Sequence, residues 1–507
     1  MPQKSRIVQV PLPTGGWDAI SRLTAIPKDR AISLINMIPT KGGIEFRKGF
    51  ASHATGLTSA AVDSLMVWEG FASRKMFAAV SASIFDVTSA GAVGAAVVSG
   101  LASDRFQWTH FSNSAGSYLY IVNGADAPYH YNGTAWANPS ITGVTAANLI
   151  SVMSHKRRVW FIEKDTANAW YLPVDAVAGA AVKLDLGPLF SRGGHLLAFG
   201  RWSRDAGDGP DDYAVFLSSR GQAVVYAGTD PDFVDSWGLA SILDLPTPVG
   251  ARRCISEFGG DLLINTVAGV VSLEAAARYG LQEPERIIVN HRIANEHKSV
   301  VSLYSTNFGW GITHFKEESL LLINVPTAEG TNAVQHVLNT QTSAWCKFDG
   351  FKATSMVVFG GSLYFGSSGG IVYKALSGLT DNGANIVARS RGAYGDLGYP
   401  GRVKHATMVL LALESQGTVL PAVAFDADFE YTDPTDIPPV SAGGSDVWDT
   451  GLWDTAVWGT GGDEPYLNWT GVGAIGHVLS MHVKFEAKNV SVRLNGADLM
   501  IELGGPL

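Results

Sequence analysis

Charged residues are scarce in this chain of 507 amino acids. Asp, Glu, Lys and Arg make up 16% of it, and 46 acidic residues against 37 basic ones give a formal net charge of −9. A protein whose main task is to hold phosphate backbones is strongly basic, so this balance argues against that class. Hydrophobic residues reach 46%, which excludes a disordered chain.

Cysteine is almost missing, and histidine forms no metal-binding pattern. Cys254 and Cys346 are the two cysteines, too few for a disulfide framework or a Cys-rich zinc site, and we expect two buried free thiols. The 12 histidines contain neither an HxxxH nor an HxH pattern, which argues against a catalytic metal. The sequence therefore predicts no metal and no cofactor.

Long apolar runs are also missing. No run reaches the ~20 residues that a membrane helix needs, and the longest candidate, AGAVGAAVVSGLA, is short and rich in glycine. The first residues, MPQKSRIVQVPLPTGG, have no apolar core of the kind found in secretory signals. We therefore expect a soluble protein, made in the cytoplasm, with no membrane-spanning segment.

Glycine, in contrast, is abundant, and a repeated hairpin pattern accompanies it. Two apolar strands flank a Gly, Asn, Asp or Ser turn seven times, at 76–87, 118–131, 158–172, 213–226, 262–273, 320–338 and 363–374. The starting points lie 40 to 58 residues apart, close to the ~40 to 50 residues of a four-stranded propeller blade. The fold class predicted is an all-β protein, a β-propeller of about six to eight blades.

The flanks of the hairpin region differ from it. Residues 1–58 are predicted as a helix-plus-strand platform segment, with a helix over 27–39 and a strand over 43–50. Residues 59–380 form the predicted propeller. Residues 381–507 are predicted as a C-terminal β-domain that carries a Trp-rich loop.

Two short motifs resemble catalytic patterns but stand in the wrong context. GVGAIG at 471–476 matches the dinucleotide pattern, yet a strand-like stretch follows it where a helix is required. GSSGG at 366–370 matches a nucleophile elbow, yet Ser368 falls in a hairpin turn. Neither motif indicates catalysis, and we expect a protein that is not an enzyme.

Acidic residues leave two alternatives open. The stretch DAGDGPDD, with Asp205, Asp208, Asp211 and Asp212, is either a cation site or an ordinary turn. A glycosidase would need a carboxylate pair, and among many candidates no pair stands out; these include Asp86, Asp126, Glu163 and Asp261.

Basic residues are densest in HKRRVW and ARRC. The residues concerned are Lys156, Arg157, Arg158, Arg252 and Arg253. Such clusters are usually solvated strand edges, and contact with phosphate is the alternative.

Tryptophan recurs every five residues in VWDTGLWDTAVWGTGG, at Trp448, Trp453 and Trp458. A WD repeat places one such dipeptide in each blade of ~40 residues, with an upstream Gly-His, so this stretch is not a WD40 signature. Together with Trp17, these residues are candidates for a core or a subunit interface. Binding to sugar rings is the alternative.

Three stretches resemble the tail hub, or nozzle, proteins of short-tailed bacteriophages, which are tail tubular proteins that stabilise packaged DNA. The first is PLPTGGWDAISRLTAIPKDRAISLINMIPTKGGIEFRKGFASHATGL, at 11–57. The second, at 216–273, contains GQAVVYAGTDP, GARRC and GGDLL. The third runs from VWDTGLWDTAVW to LSMHVKFEAKNVSVRLNGADLMIELGG, at 447–458 and 479–505.

The resemblance implies a propeller with a platform built from the terminal segments, assembled as a homohexamer into a tube. Such a tube lies below the head–tail adaptor, closes the channel on packaged double-stranded DNA, conducts it without sequence recognition and carries tail fibres or spikes. Six copies would carry 6 × −9 = −54 charges, so the wall would not hold the duplex. The expected location is the virion tail, after synthesis in the bacterial cytoplasm. Long loops between blades, at 201–212 or 324–334, are candidates for a gate.

Two other functions remain open at this point. One is a carbohydrate-binding or glycan-hydrolysing propeller of a phage tail, and the other is a monomeric scaffold that binds partners.

Overall fold

A computed structural model describes residues 5–205, 210–233, 235–415, 419–434, 440–441, 464–466 and 468–506. Within these residues, seven antiparallel sheets follow one another around a ring, and the strands that lead each sheet contact those of the next. The protein is a seven-bladed β-propeller. The predicted all-β fold is confirmed, and the observed number of blades falls within the predicted six to eight.

Blades 1 to 4 each contain four strands joined by short turns. Blade 1 consists of Val62–Glu69, Arg74–Val80, Ser83–Asp86 and Val98–Ser99. Blade 2 consists of Gln107–Asn113, Gly116–Val122, Tyr129–Tyr131 and Trp136–Ala137. Blade 3 consists of Leu149–His155, Arg158–Glu163, Asn168–Tyr171 and Val182–Asp185. Blade 4 consists of Leu196–Asp205, Pro210–Ser218, Gln222–Gly228 and Trp237–Asp244.

Blades 5 to 7 are less regular. Blade 5 has three strands followed by helices: Ile255–Phe258, Asp261–Thr266 and Gly269–Ser272, then Leu273–Tyr279, Pro284–Ile287 and Ala294–Tyr304. Blade 6 consists of Gly311–Phe315, Leu320–Ala328, Asn332–Asn339 and Ala344–Phe348. Blade 7 consists of Ser355–Phe359, Ser362–Gly366 and Val372–Ala375, with Phe50–Thr55 from near the N-terminus as its fourth strand.

Short elements connect the blades. Gly91–Ala92 pairs with Phe50–Thr55, and Ile141–Thr142 pairs with Gly179–Ala180, both in parallel. Single 3₁₀ turns lie at Ala146–Asn148, Gly187–Leu189, Ala251–Arg253, His291–Ile293 and Lys316–Glu318.

The seven predicted hairpins are all present. Each of them is the second and third strand of one blade, as in blade 3, where Arg158–Glu163 pairs with Asn168–Tyr171. Ser368 lies in the turn of the blade 7 hairpin, and 471–476 lies in a strand followed by another strand. The two motifs therefore stand in the contexts that argued against their catalytic interpretation.

Apolar clusters fill the spaces between neighbouring blades. Between blades 3 and 4, Trp160 is 1% exposed and stacks on Trp237 at a centroid distance of 5.5 Å, with Phe199 and Phe216 beside it. Aromatic pairs of this kind stabilise the fold by more than the burial of their apolar area alone would give. Similar clusters lie between blades 1 and 2, 2 and 3, 4 and 5, and 7 and 1.

The two ends of the chain together form a separate seven-stranded sheet, named here the platform sheet. Its strands are Arg6–Gln9, Met37–Thr40, Gly43–Phe46, Arg402–Ser415, Glu464–Tyr466, Trp469–Gly476 and Val492–Pro506. Other terminal strands extend blade 6 beyond Ala344–Phe348, namely Ala31–Ile35, Ile386–Gly392, Leu479–Lys488, Ala422–Ala427 and Val440–Ser441. The predicted β-structure built from terminal segments is confirmed.

The helix predicted over 27–39 is wrong. Ala31–Ile35 is a strand that pairs with Ile386–Gly392, and Met37–Thr40 is a second strand. Asn36 between them has a φ of 57°, a left-handed conformation that a continuous right-handed helix cannot contain. A short apolar run suits a buried strand as well as a helix, and pairing with distant strands decides between them.

Candidate functional site: the central channel

The leading strands of the seven blades surround a cavity of about 290 Å³ at the centre of the propeller. Apolar side chains such as Leu65, Phe199 and Met356 line it together with polar ones such as Gln107 and Thr313. The volume is that of a small-molecule site. A DNA duplex, whose major groove alone is ~12 Å wide, does not fit into this channel.

A second cavity of about 290 Å³ adjoins the first. Gln107, Arg252, Arg253, Gly309 and Trp310 line both cavities, so these residues separate them. Two of the predicted basic residues, Arg252 and Arg253, therefore lie inside the propeller.

Arg253 connects the start of blade 5 with blades 1 and 2. It ends the turn Ala251–Arg253 and extends its guanidinium across the ring. Its Nη2 donates to the carbonyl oxygen of Asp63 at 2.8 Å, to the hydroxyl of Ser64 at 2.8 Å and to the carbonyl oxygen of Phe106 at 3.3 Å. All three acceptors are neutral.

Arg252 reaches the loop that follows the second strand of blade 2. Its Nη1 donates to the carbonyl oxygen of Asn123 at 2.7 Å. Gly124, with a φ of 75°, gives the guanidinium room, because a Cβ there would lie 3.1 Å from Nη2. A side chain at this position would displace Arg252.

Arg105 and Phe308 complete the arginine cluster at the outer cavity. Arg105 pairs with Asp63 at 2.9 Å and with Glu329 at 2.7 Å. Its guanidinium carbon lies 4.0 Å from the centre of the Phe308 ring, and that of Arg253 lies 4.7 Å from it. The backbone N–H of Phe308 donates to Glu329 at 3.2 Å. The tip of the blade 6 hairpin is thereby fixed to blades 1 and 2.

The electrostatic environment of Arg252 and Arg253 is unusual. Burial lowers the pKa of Arg252, and burial lowers the pKa of Arg253 to about 10, with Asp63 offsetting part of the shift and Arg105 adding to it. No Asp or Glu occurs among the described residues that line the two cavities. The channel therefore concentrates positive charge within a protein of net negative charge.

The other three predicted basic residues lie elsewhere, on the hairpin between the first two strands of blade 3. Lys156 and Arg157 are its two turn residues, and they pair with Asp212 and Asp175. Arg158 is 4% exposed and bonds Asp230 and Asp232 of blade 4 at 2.7 and 3.0 Å. The structure therefore divides the five basic residues between the channel and the blade 3 hairpin.

Of the four candidate tryptophans, the structure describes one. Trp17 is buried at 6% exposure in the core below the platform sheet, with its ring edge-on to His336 at 5.4 Å. Trp448, Trp453 and Trp458 lie outside the described residues.

The candidate carboxylates are dispersed over the blades. Asp86 bonds Lys75, Asp126 bonds Asn123, Glu163 bonds Trp170 and Asp261 bonds Ser272. Each of these contacts lies within one blade or at its adjoining turn, so no two of the four form a pair.

The described residues of the acidic stretch 205–212, which are Asp205 and 210–212, belong to the first two strands of blade 4. Asp212 accepts from the Ser203 hydroxyl at 2.6 Å, Asp208 lies outside the described residues, and the side chains of Asp205 and Asp211 are not described. Where side chains are described, no group of three His, Cys, Asp or Glu residues could hold a metal.

The two candidate gates, 201–212 and 324–334, were predicted as loops between blades, and this is wrong. Their described residues are mostly in strands that pair within one blade, blade 4 and blade 6 respectively. Long hairpins and long loops have similar polar sequences, so strand pairing alone separates them.

Sequence reasoning missed four residues of the channel region: Arg105, Phe308, Trp310 and Glu329. Arg105 lies between blades 1 and 2, the other three lie at blade 6, and none of them belongs to a dense local motif. Their contacts join positions as far apart as 224 residues, from Arg105 to Glu329. A contact between residues so far apart cannot be predicted from a local sequence pattern.

No protein-family model matches the chain, and no curated protein matches it. Solved structures similar to it include the WD40 propeller domain of Doa1, at 10% identity and a TM-score of 0.40, covering 64% of this chain and 96% of that one. The structure of BBS1N in complex with ARL6DN is similar at 10% identity and a TM-score of 0.41, covering 65% and 98%. BamB from Moraxella catarrhalis is similar at 13% identity and a TM-score of 0.33, covering 67% and 93%. The propeller assignment rests on the strand topology of the chain itself.

Among the described helices, none is long and apolar enough to cross a membrane.

Proposed function

We propose that this chain is a non-enzymatic virion protein, the propeller subunit of the tail nozzle of a short-tailed phage. It assembles as a homohexamer, seals the DNA channel before infection and conducts DNA during ejection. The head–tail adaptor lies above it, and tail fibres or spikes attach to its side. The protein reaches the virion after synthesis in the bacterial cytoplasm.

The observation that carries the proposal is the pairing of two resembling stretches that stand far apart in the sequence. Gly43–Phe46 belongs to the first stretch, Val492–Pro506 overlaps the last, and the two strands are neighbours in the platform sheet. Glu45 and Arg493 lie opposite each other and form an ion pair. A platform made of both chain ends is what the resemblance implies.

The size of the central channel supports a passage between copies. A cavity of about 290 Å³ excludes a duplex, so DNA would pass through the axis of a ring of propellers. A ring arises from a heterologous interface whose rotation closes. The net charge of −9 per copy gives the wall of this passage little attraction for phosphate.

The platform sheet supplies a surface for such an interface. Arg6–Gln9 and Trp469–Gly476 lie at opposite edges, and among the described strands each of them has one partner. Ile7 is 60% exposed at one edge and Ile475 is 62% exposed at the other. In the proposed ring, the Ile475 edge of each copy faces its neighbour.

Electron microscopy of the negatively stained, purified chain tests the proposal. We expect rings of about six copies with an axial channel that is open or plugged. Single particles at every concentration, combined with saturable binding in a glycan screen, would contradict the nozzle and favour the carbohydrate-binding alternative. Single particles without glycan binding would favour a monomeric scaffold.

A further inference from the structure

We propose that Arg252 and Arg253 form a binding site for a small phosphate-like oxyanion at the centre of the propeller. This inference is independent of the proposed function, because it concerns the interior of one copy.

The first argument is that neither cation has a carboxylate within ion-pair distance among the described residues, although Asp165 acts on Arg252 and Asp63 on Arg253 from further away. Arg252 bonds one backbone carbonyl, and Arg253 bonds two backbone carbonyls and one hydroxyl. Within the described residues, neither of them forms an ion pair, whereas the adjacent Arg105 is paired twice. Burying a charge without an opposite charge is costly, and a bound anion would remove that cost.

The second argument is that donors remain available. A guanidinium has five N–H groups in a planar fork, which matches the oxygens of phosphate or carboxylate. Nε and Nη2 of Arg252, and Nε and Nη1 of Arg253, have no hydrogen-bond partner among the described residues. None of these atoms is among the fully buried side-chain atoms without a partner, so they keep access to solvent, and both residues line the cavities.

The third argument is the composition of the walls. Both arginines line both cavities, each of about 290 Å³, and no carboxylate lines either among the described residues. Ser151 and Thr313 add hydroxyl groups to the inner cavity, and Asn307 adds an amide to the outer one. A cation would be repelled, and a large ligand would not fit, so a small anion is the class that suits the site.

A purely structural role explains Arg253 better than Arg252. Arg253 makes three hydrogen bonds to two segments of blades 1 and 2, whereas Arg252 makes a single hydrogen bond. Arg252 is therefore the residue whose replacement separates anion binding from folding.

Calorimetric titration of the full chain with inorganic phosphate, in a phosphate-free buffer at low ionic strength, tests the site. We expect saturable binding of one phosphate per chain, at least tenfold weaker in Arg252→Gln. Arg286→Gln is the matched control, because Arg286 is exposed and pairs with Glu283 away from the channel. Phosphate that fails to bind, or that binds Arg252→Gln as tightly as the unaltered protein, would overturn the proposal.

Two further measurements keep the result decisive. Titration with succinate separates the oxyanion classes, and tighter binding of succinate than of phosphate would overturn the phosphate assignment. If Arg252→Gln does not fold, crystals of the unaltered chain soaked in tungstate locate the site directly. We expect an anomalous peak between Arg252 and Arg253, and a map without one would overturn the site.

Discussion

Blades 1 to 4 are built from local sequence, whereas blades 5 to 7 depend on distant segments. The sixteen strands of the first four blades all come from 62–244 and follow one another in chain order. Blade 5 has helices in place of a fourth strand, blade 6 continues into strands from both chain ends, and blade 7 takes its fourth strand from Phe50–Thr55.

The two regions also differ in what joins their parts. Aromatic side chains fill the space between blades 3 and 4, where Trp160 stacks on Trp237. The joint between the N-terminal segment and the end of blade 7 adds a fully buried arginine, with Arg47 paired to Asp381 beside the aromatic contact of Phe50 with Phe351. Apolar burial thus acts in both regions, and the distant segments are also fixed in register by a network of directional polar contacts around Arg47. Replacing residues of each kind tests this difference.

The largest effect is expected at Arg47. Its side chain is 0% exposed, and it bonds both oxygens of Asp381 at 2.7 and 2.6 Å and the Asn36 side chain at 2.8 Å. Arg47→Met leaves a largely buried carboxylate without its partner, so the free energy of unfolding should fall by about 3–5 kcal/mol. Urea unfolding measures this loss. Arg286→Met, which removes an exposed pair, should cost less than about 1 kcal/mol. Equal losses in both variants would contradict the role of Arg47.

A pH-dependent effect is expected in the local region, at His155 of blade 3. Burial, followed by the nearby Lys156 charge, lowers the pKa of His155 to about 4, and its ring lies 6.1 Å from those of Phe199 and Trp237. The unfolded state, with a His pKa of ~6.5, binds the proton more readily than the folded state. The contribution of neutral His155 to the free energy of unfolding is therefore complete above pH ~6.5. It is lost between ~6.5 and about 4, and amounts to roughly 3 kcal/mol.

Unfolding of the unaltered chain and of His155→Leu, compared at pH 7 and pH 4, isolates this contribution. The difference between the two proteins should shift by roughly 3 kcal/mol in favour of the variant at the lower pH. A difference that does not change with pH would show that His155 is not responsible.

A smaller effect is expected at the platform sheet, on assembly. Ile475→Lys places a charge in the edge that faces a neighbouring copy in the proposed ring, and losing the burial of one Ile side chain there would cost about 2 kcal/mol, or roughly 30-fold in association. Analytical ultracentrifugation measures the change. Ile242→Lys, at an exposed position of blade 4, is the control and should leave assembly unaltered. An unaffected ring in Ile475→Lys would place the interface elsewhere.

The smallest effect is expected at the blade 3 turn. Lys156 and Arg157 have φ angles of 47° and 59°, as a two-residue type I′ turn requires, although Asn and Gly suit these positions better. The double substitution Lys156→Asn, Arg157→Gly should stabilise the protein by about 1 kcal/mol, because the two ion pairs lost, which lie at the surface and are partly exposed, are worth less than the strain removed. Thermal unfolding measures this gain, and a lower Tm would mean that the ion pairs matter more.

The sequence predicted the local region well and the composite region poorly. All seven hairpins were predictable, because each places β-branched and aromatic residues around a turn within 20 residues. The helices after blade 5 were missed, although Ser272 caps the first of them, Glu274 lies in its first turn and Gly280 follows its end. The strand at Ala31–Ile35 was assigned to a helix because its partners stand more than 300 residues away.

The candidate site was predictable only in part. The dipeptide Arg252–Arg253 was visible as a basic spot, but its place inside the channel follows from the ring closure of seven blades. The contacts to Ser64, Phe106 and Asn123 join residues 129 to 189 positions apart. The local composition around each residue does not predict contacts between residues so far apart in the chain.

The most direct test of the central claim is the native mass spectrum of the purified full-length chain. Six copies of 53.8 kDa correspond to 6 × 53.8 = 322.8 kDa, and the nozzle proposal predicts a dominant species at this mass. A single species at 53.8 kDa, at all concentrations tested, would contradict a self-assembling ring.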